Sequence, residues 1–166
     1  MAVTGKIDRK YMAHYIDAGS LCGGLTPKYE RLGKDLEEYN VELNPDTETS
    51  KNILGESTFK HNGYEVSSDA DPFYADTTSD LFTALQKIVD GRLKDDNLKT
   101  KAVEVHLWTE ATAGKYEAYQ QECYVVPTSY GGDTSGYQIP FTVNYTGERV
   151  KGKFEITSGS FTADSE

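Results

Sequence analysis

Residues able to do acid–base or metal chemistry are few and far apart in this chain. The candidates are three histidines and two cysteines, at His14, His61, His106, Cys22 and Cys123. Metal centres and catalytic dyads need such side chains in close or recurrent spacing, and no CxxC, HExxH or GxSxG pattern occurs. His106 falls on the polar phase of a strand pattern, which predicts a solvated side chain. The sequence therefore predicts free thiols, no metal, no cofactor and no catalytic residues, so an enzyme is not expected.

Two further groupings could bind an ion or transfer a proton. Glu37 and Glu38 are adjacent carboxylates, but neighbouring residues of a strand point to opposite faces. Gly131, Gly132 and Asp133 combine backbone groups with one carboxylate, which is too few oxygen ligands for calcium. We expect no carboxylate pair at the first position and a plain hairpin connection at the second.

The composition describes one folded, acidic domain. The 166 residues include 17 basic and 27 acidic side chains, for a net charge of −10, and 21–76 alone hold five bases and twelve acids. Tight duplex binding needs Lys and Arg on phosphates, so that class is excluded. With 37% hydrophobic residues and 12 tyrosines the chain can bury a core. No apolar run of about 18 residues would span a membrane, and the first 20 residues lack an apolar leader, so export by a cleaved signal is not expected.

One segment has the periodicity of an amphipathic helix. Thr77 and Asp80 have the spacing of a capping box, and an apolar stripe at helical period follows them. The stripe consists of Leu81, Phe82, Leu85, Ile88, Val89 and Leu93. The pattern predicts a helix over 77–93 that packs against a sheet.

Strand patterns occupy most of the remaining chain. Apolar and polar residues alternate over 39–43, 103–107, 119–125, 137–145 and 150–156. The last two segments flank Gly147 and Glu148, which predicts an antiparallel hairpin, and Pro140 indicates an edge or a bulge. The order of strands, helix and strands predicts a mainly β fold, a β-sandwich or open barrel with one flanking α-helix.

Breaker residues divide the chain into three parts. Residues 1–28 are predicted to form an N-terminal arm, 29–157 a β-sandwich domain and 158–166 a flexible C-terminal tail. Inside the domain, 44–52 form a long polar loop that precedes the apolar pair Ile53 and Leu54. A loop of this length in a small domain is typically functional or mobile.

Several segments resemble the major tail tube protein of tailed phages of Gram-positive hosts. The resemblance lies in 29–38 and 43–56, then in 71–75 before the helix and 105–108 after it. The loop at 131–133, which leads into the terminal strands, fits the same pattern. The similarity extends over roughly 27–157.

This resemblance implies a structural role. Tail tube proteins have a β-sandwich core with a flanking helix, and they form hexameric rings that stack into a hollow tube with an acidic lumen. The implied partners are the chain itself, a tape measure protein, a tail terminator, and baseplate or distal tail proteins. DNA would pass through without specific binding, since a like-charged wall lets it slide. The implied location is the virion tail, assembled in the bacterial host cytoplasm.

The resemblance also implies contact residues. The loop at 44–55 matches the position at which the family contacts a neighbouring subunit or ring. From the residues alone, a contact element and a mobile surface loop are both open. The candidate contact residues are Pro45, Asp46, Thr47, Glu48, Ile53 and Leu54.

A non-catalytic carbohydrate- or protein-binding β-sandwich module is the alternative. The tyrosines and the single Trp108 could supply surfaces that stack on sugars. Against it, Tyr119, Tyr137 and Tyr145 share the phase of the apolar strand residues, which favours burial in a core or an interface.

Overall fold

The structure, a computed structural model, describes residues 2–34 and 36–165. Three positions lie outside the described residues: Met1 of the predicted arm, Asp35 of the first segment of the resemblance, and Glu166 of the predicted tail. The described chain is mainly β with one α-helix, which confirms the predicted fold class. No helix within it has the length and hydropathy to cross a bilayer.

The described residues form twelve strands, one α-helix and three short 3₁₀ segments. The strands are β1 (Met12–Asp17), β2 (Tyr29–Arg31), β3 (Val41–Glu42), β4 (Pro45–Lys51), β5 (Ser57–Tyr64), β6 (Ser67–Ala70), β7 (Lys99–His106), β8 (Lys115–Pro127), β9 (Gly131–Asp133), β10 (Gly136–Gln138), β11 (Phe141–Glu155) and β12 (Ser160–Ala163). The helix α1 is Asp80–Gly91, and the 3₁₀ segments are Arg9–Tyr11, Ala18–Gly23 and Asp95–Leu98.

One antiparallel sheet of eight strands organises the molecule. Its order is β2-β1-β7-β8-β11-β6-β3, and β12 also pairs with β11. Two ribbons stand apart from this sheet, β4 with β5 and β9 with β10. The second ribbon contains the predicted connection at Gly131, Gly132 and Asp133, where Asp133 accepts a hydrogen bond from the Ser135 amide at 2.8 Å.

Each face of the main sheet has its own apolar core. Successive side chains of a strand point to opposite faces, so Tyr15 and Ile16 enter different cores. The larger core joins the sheet to α1 and includes Ile16, Leu81, Leu85, Ile88, Cys123, Val125, Phe141 and Val143. The smaller core is Ala13, Tyr15, Val103, Val105, Ala118 and Phe154, with Tyr29 and Phe161 packed against it.

The helix is shorter than the predicted 77–93. Its N-cap is Ser79, whose hydroxyl accepts from the Phe82 amide at 3.1 Å, so the predicted capping box at Thr77 is wrong. The Asp76 carboxylate accepts from the Thr78 amide and hydroxyl, and this local turn holds the chain outside the helix until Ser79. The helix ends where Arg92 takes a left-handed conformation at φ 49°.

The predicted terminal hairpin is wrong, because β11 is one continuous strand. It pairs along its whole length with β8, and residues 147–149 form a bulge between Thr146 and Val150. Gly147 has a φ of 70°, which suits a bulge as well as a turn, so the local sequence does not separate the two. The bulge holds two more residues than β8 has opposite it, so it preserves the alternation of β11: Val143 faces the larger core, and Phe154 faces the smaller one.

The strand predicted over 137–145 is interrupted. β10 ends at Gln138 and β11 begins at Phe141, so Pro140, which has no N–H for a ladder, lies in the break. Its carbonyl accepts a hydrogen bond from the Thr128 amide at 2.9 Å. Proline therefore interrupts the strand as its chemistry predicts.

The polar loop predicted at 44–52 is also wrong. This segment contains β4, which pairs with β5 from Pro45 opposite Tyr64 to Lys51 opposite Ser57. A two-stranded ribbon leaves one side of each strand unbonded, so a proline is tolerated there. Both faces of the ribbon are exposed, so β4 carries none of the apolar alternation that identifies a strand in a sequence.

Strands also occur in both terminal segments. β1 lies within 1–28 and pairs with β2 and β7, and β12 lies within 158–166 and pairs with β11. Close approach of β12 requires Gly152, where a Cβ would collide with the Thr162 carbonyl and the Phe161 ring. The division into an arm, a domain and a tail stays a prediction.

Replacing Phe154 with Ala tests the smaller core. Phe154 is fully buried and its ring lies 4.5 Å from that of Tyr15, so we expect a loss of about 3–5 kcal/mol of unfolding free energy. Phe59→Ala is the matched control, since Phe59 is 65% exposed on β5, and it should change stability by less than about 0.5 kcal/mol. Urea unfolding of dilute protein measures both. Equal losses in the two variants would contradict this account of the core.

Candidate assembly surface

The hairpin of β4 and β5 extends into solvent. Every residue of β4 is exposed, and so is every residue of β5 except the half-buried Gly63. At about 3.3 Å per residue the seven residues of β4 span roughly 23 Å, so the tip lies far from the main sheet. An isolated two-stranded ribbon is only marginally stable in water. This hairpin therefore gains little stability from packing against its own chain.

The tip of the hairpin is a closed and well-bonded turn. The Asn52 side-chain oxygen accepts from the amides of Leu54 at 2.9 Å and Glu56 at 3.0 Å. The Asn52 side-chain nitrogen donates to the Glu56 carboxylate at 2.9 Å. This turn presents Ile53 and Leu54 at 102% and 76% exposure, and their carbonyls have no hydrogen-bond partner among the described residues.

Further apolar side chains follow along the same ribbon. Phe59 lies midway along β5, and Tyr64 lies at its base with its ring 4.6 Å from that of His61. Leu43, just before β4, is also exposed. Large apolar side chains placed in series on one exposed element are typical of a protein–protein contact.

The structure places the six predicted contact residues in two groups on this hairpin. Four lie on β4 near its base and two lie at the tip: Pro45, Asp46, Thr47 and Glu48, then Ile53 and Leu54. All six are exposed, and their role in subunit contact stays a prediction. Leu43, Phe59 and Tyr64 were not among the predicted contact residues, because their only signal in the sequence is a large apolar side chain in a polar stretch.

A cleft of about 530 Å³ opens at the base of the hairpin. One wall comes from the hairpin and the residues that flank it, the opposite wall comes from β7, β8 and the bulge of β11, and tyrosines of the larger core form the floor. The residues that line the cleft include Leu43, Tyr64, His14, Tyr39, Tyr145, Glu104, Tyr119 and Arg149.

Two tyrosines fix the floor of the cleft. The hydroxyls of Tyr39 and Tyr145 share a hydrogen bond of 2.8 Å, and Ser68 donates to the Tyr145 hydroxyl at 3.5 Å. Burial raises the pKa of both phenols above their ordinary value, so they remain neutral. The floor is a rigid, uncharged surface.

His14 lines the cleft, and its ring nitrogens form no hydrogen bond to another described residue. The residue is 9% exposed and its ring lies 4.8 Å from the Tyr39 ring, but neither nitrogen is bonded to another described residue. Burial lowers the pKa of His14 to about 4, so at neutral pH the imidazole is uncharged, with one donor and one acceptor. No buried side-chain nitrogen or oxygen among the described residues lacks a hydrogen-bond partner, so the unbonded His14 nitrogens retain access to solvent and can bond an occupant of the cleft.

The far wall of the cleft is a network of charge and aromatic contacts. Glu104 accepts from Arg149 at 3.0 Å and pairs with His106 at 2.7 Å. Burial opposes ionisation, but the His106 hydrogen bond and the Arg149 charge hold the pKa of Glu104 below its ordinary value. The Arg149 guanidinium also lies 4.2 Å from the centre of the Tyr119 ring. Arg149 belongs to the bulge of β11 and lines the cleft.

His106 is half-buried and not solvated as the sequence predicted. Its ring pairs with Glu104 and stacks on Trp108, with centroids 4.4 Å apart and planes 16° apart. One face of Trp108 is therefore occupied, which weakens its use as a sugar-stacking platform. Both thiols are free, and no cluster of three His, Cys, Asp or Glu residues in 2–34 and 36–165 could hold a metal ion.

Comparison with known proteins gives little similarity in sequence. No protein family matches the chain, and no curated protein is similar to it. Among solved structures, it is similar to the sheath/tube terminator of PVC, an extracellular contractile injection system, in its extended state. The TM-score is 0.49 with 10% identity, over 90% of this chain and 99% of that chain. At this level the likeness assigns no function to the chain.

The unbonded His14 predicts a pH dependence of stability. Its pKa is about 4 in the folded chain and near 6.5 when unfolded. Only the unfolded state therefore gains a proton as the pH falls from about 6.5 to 4. The contribution of neutral His14 to the unfolding free energy is complete above pH 6.5, and the unfolding free energy is lower by about 3 kcal/mol at pH 4. The charged or titratable groups that act on His14 are Glu104, Arg9, His106 and Arg149.

Urea unfolding at pH 7 and pH 4 tests this dependence in His14→Phe. The variant should lose less stability on acidification than the wild type, because it has no imidazole to protonate. His61→Phe on the exposed hairpin is the matched histidine control and should follow the wild type. Identical acid losses in wild type and His14→Phe would contradict the assignment.

Proposed function

We propose that this chain is a non-catalytic structural subunit of a tail tube. In this proposal, subunits form hexameric rings, and the rings stack into a hollow tube that delivers a genome from a virion tail. The observation that carries the proposal is the exposed hairpin of β4 and β5, with apolar side chains from base to tip. The tail tube resemblance of the sequence supports the same function independently.

Burial of the hairpin by other subunits would remove its exposed apolar surface from water. The side chains of Ile53, Leu54 and Phe59 are between 65% and 102% exposed. Covering apolar surface yields about 25 cal/mol per Å², so such side chains strongly favour association. Because the hairpin extends away from its own sheet, the surface that covers it comes from another chain.

The main sheet also has edges that neighbouring subunits could use. β2 and β3 end the sheet, and each is paired on one side only among the described strands. Exposed strand edges favour pairing with further strands, and closure into a barrel removes them. Ring closure between subunits would pair these edges. Stacking of rings would then be a heterologous contact that does not close, which yields a tube.

The acidity of the chain fits a DNA conduit. Net charge is −10, and the excess of acid is greatest over 21–76. A wall of like charge would let DNA slide without binding it. Glu42 and Glu65 are exposed near the base of the hairpin and are candidates for such a wall. A tape measure protein, a tail terminator and baseplate or distal tail proteins are the further partners we propose.

Electron microscopy of the concentrated protein tests this function. We expect rings or tubes for the wild type, and their loss in the double variant Ile53→Asp, Leu54→Asp, because charge at the tip opposes burial. Both residues are exposed, so the circular dichroism spectrum should not change.

Leu25→Asp is the matched control for this experiment. Leu25 is 96% exposed but lies outside the hairpin, so this variant should assemble like the wild type. Monomers or closed dimers of the wild-type protein under all assembly conditions would refute the tail tube function. Normal tubes from the double variant would refute the role of the tip.

A further inference from the structure

We propose that the cleft at the base of the hairpin is the receptor for the hairpin tip of a second copy of the chain. The inference rests on the proposed function, since it requires self-assembly. It adds the surface that receives the tip and the chemistry of that contact.

The cleft has the properties of an incomplete site. Its hairpin wall exposes Leu43 at 53% and Tyr64 at 60%, so apolar surface faces open space. His14 lines the cleft nine-tenths buried with neither nitrogen bonded to a described residue. An occupant that supplies apolar side chains and a hydrogen-bond acceptor would match this lining.

The hairpin tip supplies both of these groups. Ile53 and Leu54 offer the apolar surface, and their backbone carbonyls are free to accept a hydrogen bond. A neutral imidazole has one N–H to donate, which matches a carbonyl acceptor. The Asn52 side chain already holds the turn closed, so little conformational freedom would be lost when the tip is bound.

The charges of the two surfaces are also complementary. The tip carries Glu56, one of whose carboxylate oxygens bonds Asn52 and leaves the other free. The wall of the cleft carries Arg149, an exposed guanidinium with donors beyond the one that bonds Glu104. Glu104 also lies in this wall, but it is paired with Arg149 and His106, so its negative charge repels an approaching carboxylate less strongly.

The occupant is a second copy, because a chain cannot fill its own cleft. The base of the hairpin is a wall of the cleft, whereas the tip lies roughly 23 Å away along β4. In the described chain Ile53 is fully exposed, so its own cleft does not hold it. Each copy then gives one tip and receives another, which is a heterologous contact that repeats from copy to copy.

Disulfide trapping between two single-site variants tests the contact. Leu54→Cys at the tip and Leu43→Cys in the cleft are made as separate proteins with different tags, both with Cys22→Ser to remove the half-buried thiol. The remaining Cys123 is buried, and its pKa is raised to about 12, so it does not compete. The two proteins are mixed, assembled and mildly oxidised, and then separated on a non-reducing gel.

We expect a covalent dimer that carries both tags, formed at least tenfold more than with Leu25→Cys in place of Leu43→Cys. A disulfide requires the two Cα atoms to lie within about 7 Å, so efficient trapping reports direct docking. Leu25 is the matched control because it is an exposed leucine outside the cleft.

The possible outcomes separate this inference from the proposed function. Rings or tubes that assemble without the dual-tag dimer would overturn the cleft as receptor and leave the tail tube function standing. Failure of the wild type to assemble at all would overturn both, because no second copy would then be bound.

Discussion

The structure depends on the full-length antiparallel pairing of β8 with β11. This ladder extends from Pro127 opposite Phe141 to Lys115 opposite Glu155, and it links β7 on one side to β6 and β12 on the other. The bulge at 147–149 interrupts this ladder but preserves the alternation of β11, because it adds two residues relative to β8. One strand thus supplies Val143 to the core beneath α1 and Phe154 to the core on the opposite face.

Two residues of this bulge, Gly147 and Arg149, line the cleft. Arg149, within this bulge, donates to Glu104 and lies over the Tyr119 ring. Tertiary pairing also brings His14 of β1 to the floor where Tyr39 and Tyr145 meet. The cleft is therefore a consequence of how the strands of one sheet are ordered.

The hairpin and the cleft both present groups that make few contacts within one chain. The hairpin exposes apolar side chains, and the cleft presents an imidazole that bonds no other described residue. In the proposed assembly, contact with another copy would cover both surfaces.

The sequence by itself determined the fold class, the existence of the helix and the scarcity of catalytic side chains. The stripe from Leu81 to Val89 and the alternation in β7 and β8 are local signals, and one helix and two strands lie at these positions with bounds that differ from the predicted ones. Only the tertiary structure decided between a turn and a bulge at Gly147, because β8 offers β11 a ladder that local periodicity does not encode. It alone showed that Pro45–Lys51 is a strand, since a ribbon exposed on both faces has no apolar alternation. The meeting of His14, Glu104 and Tyr145 also required the fold, because strand order places side chains from distant segments together.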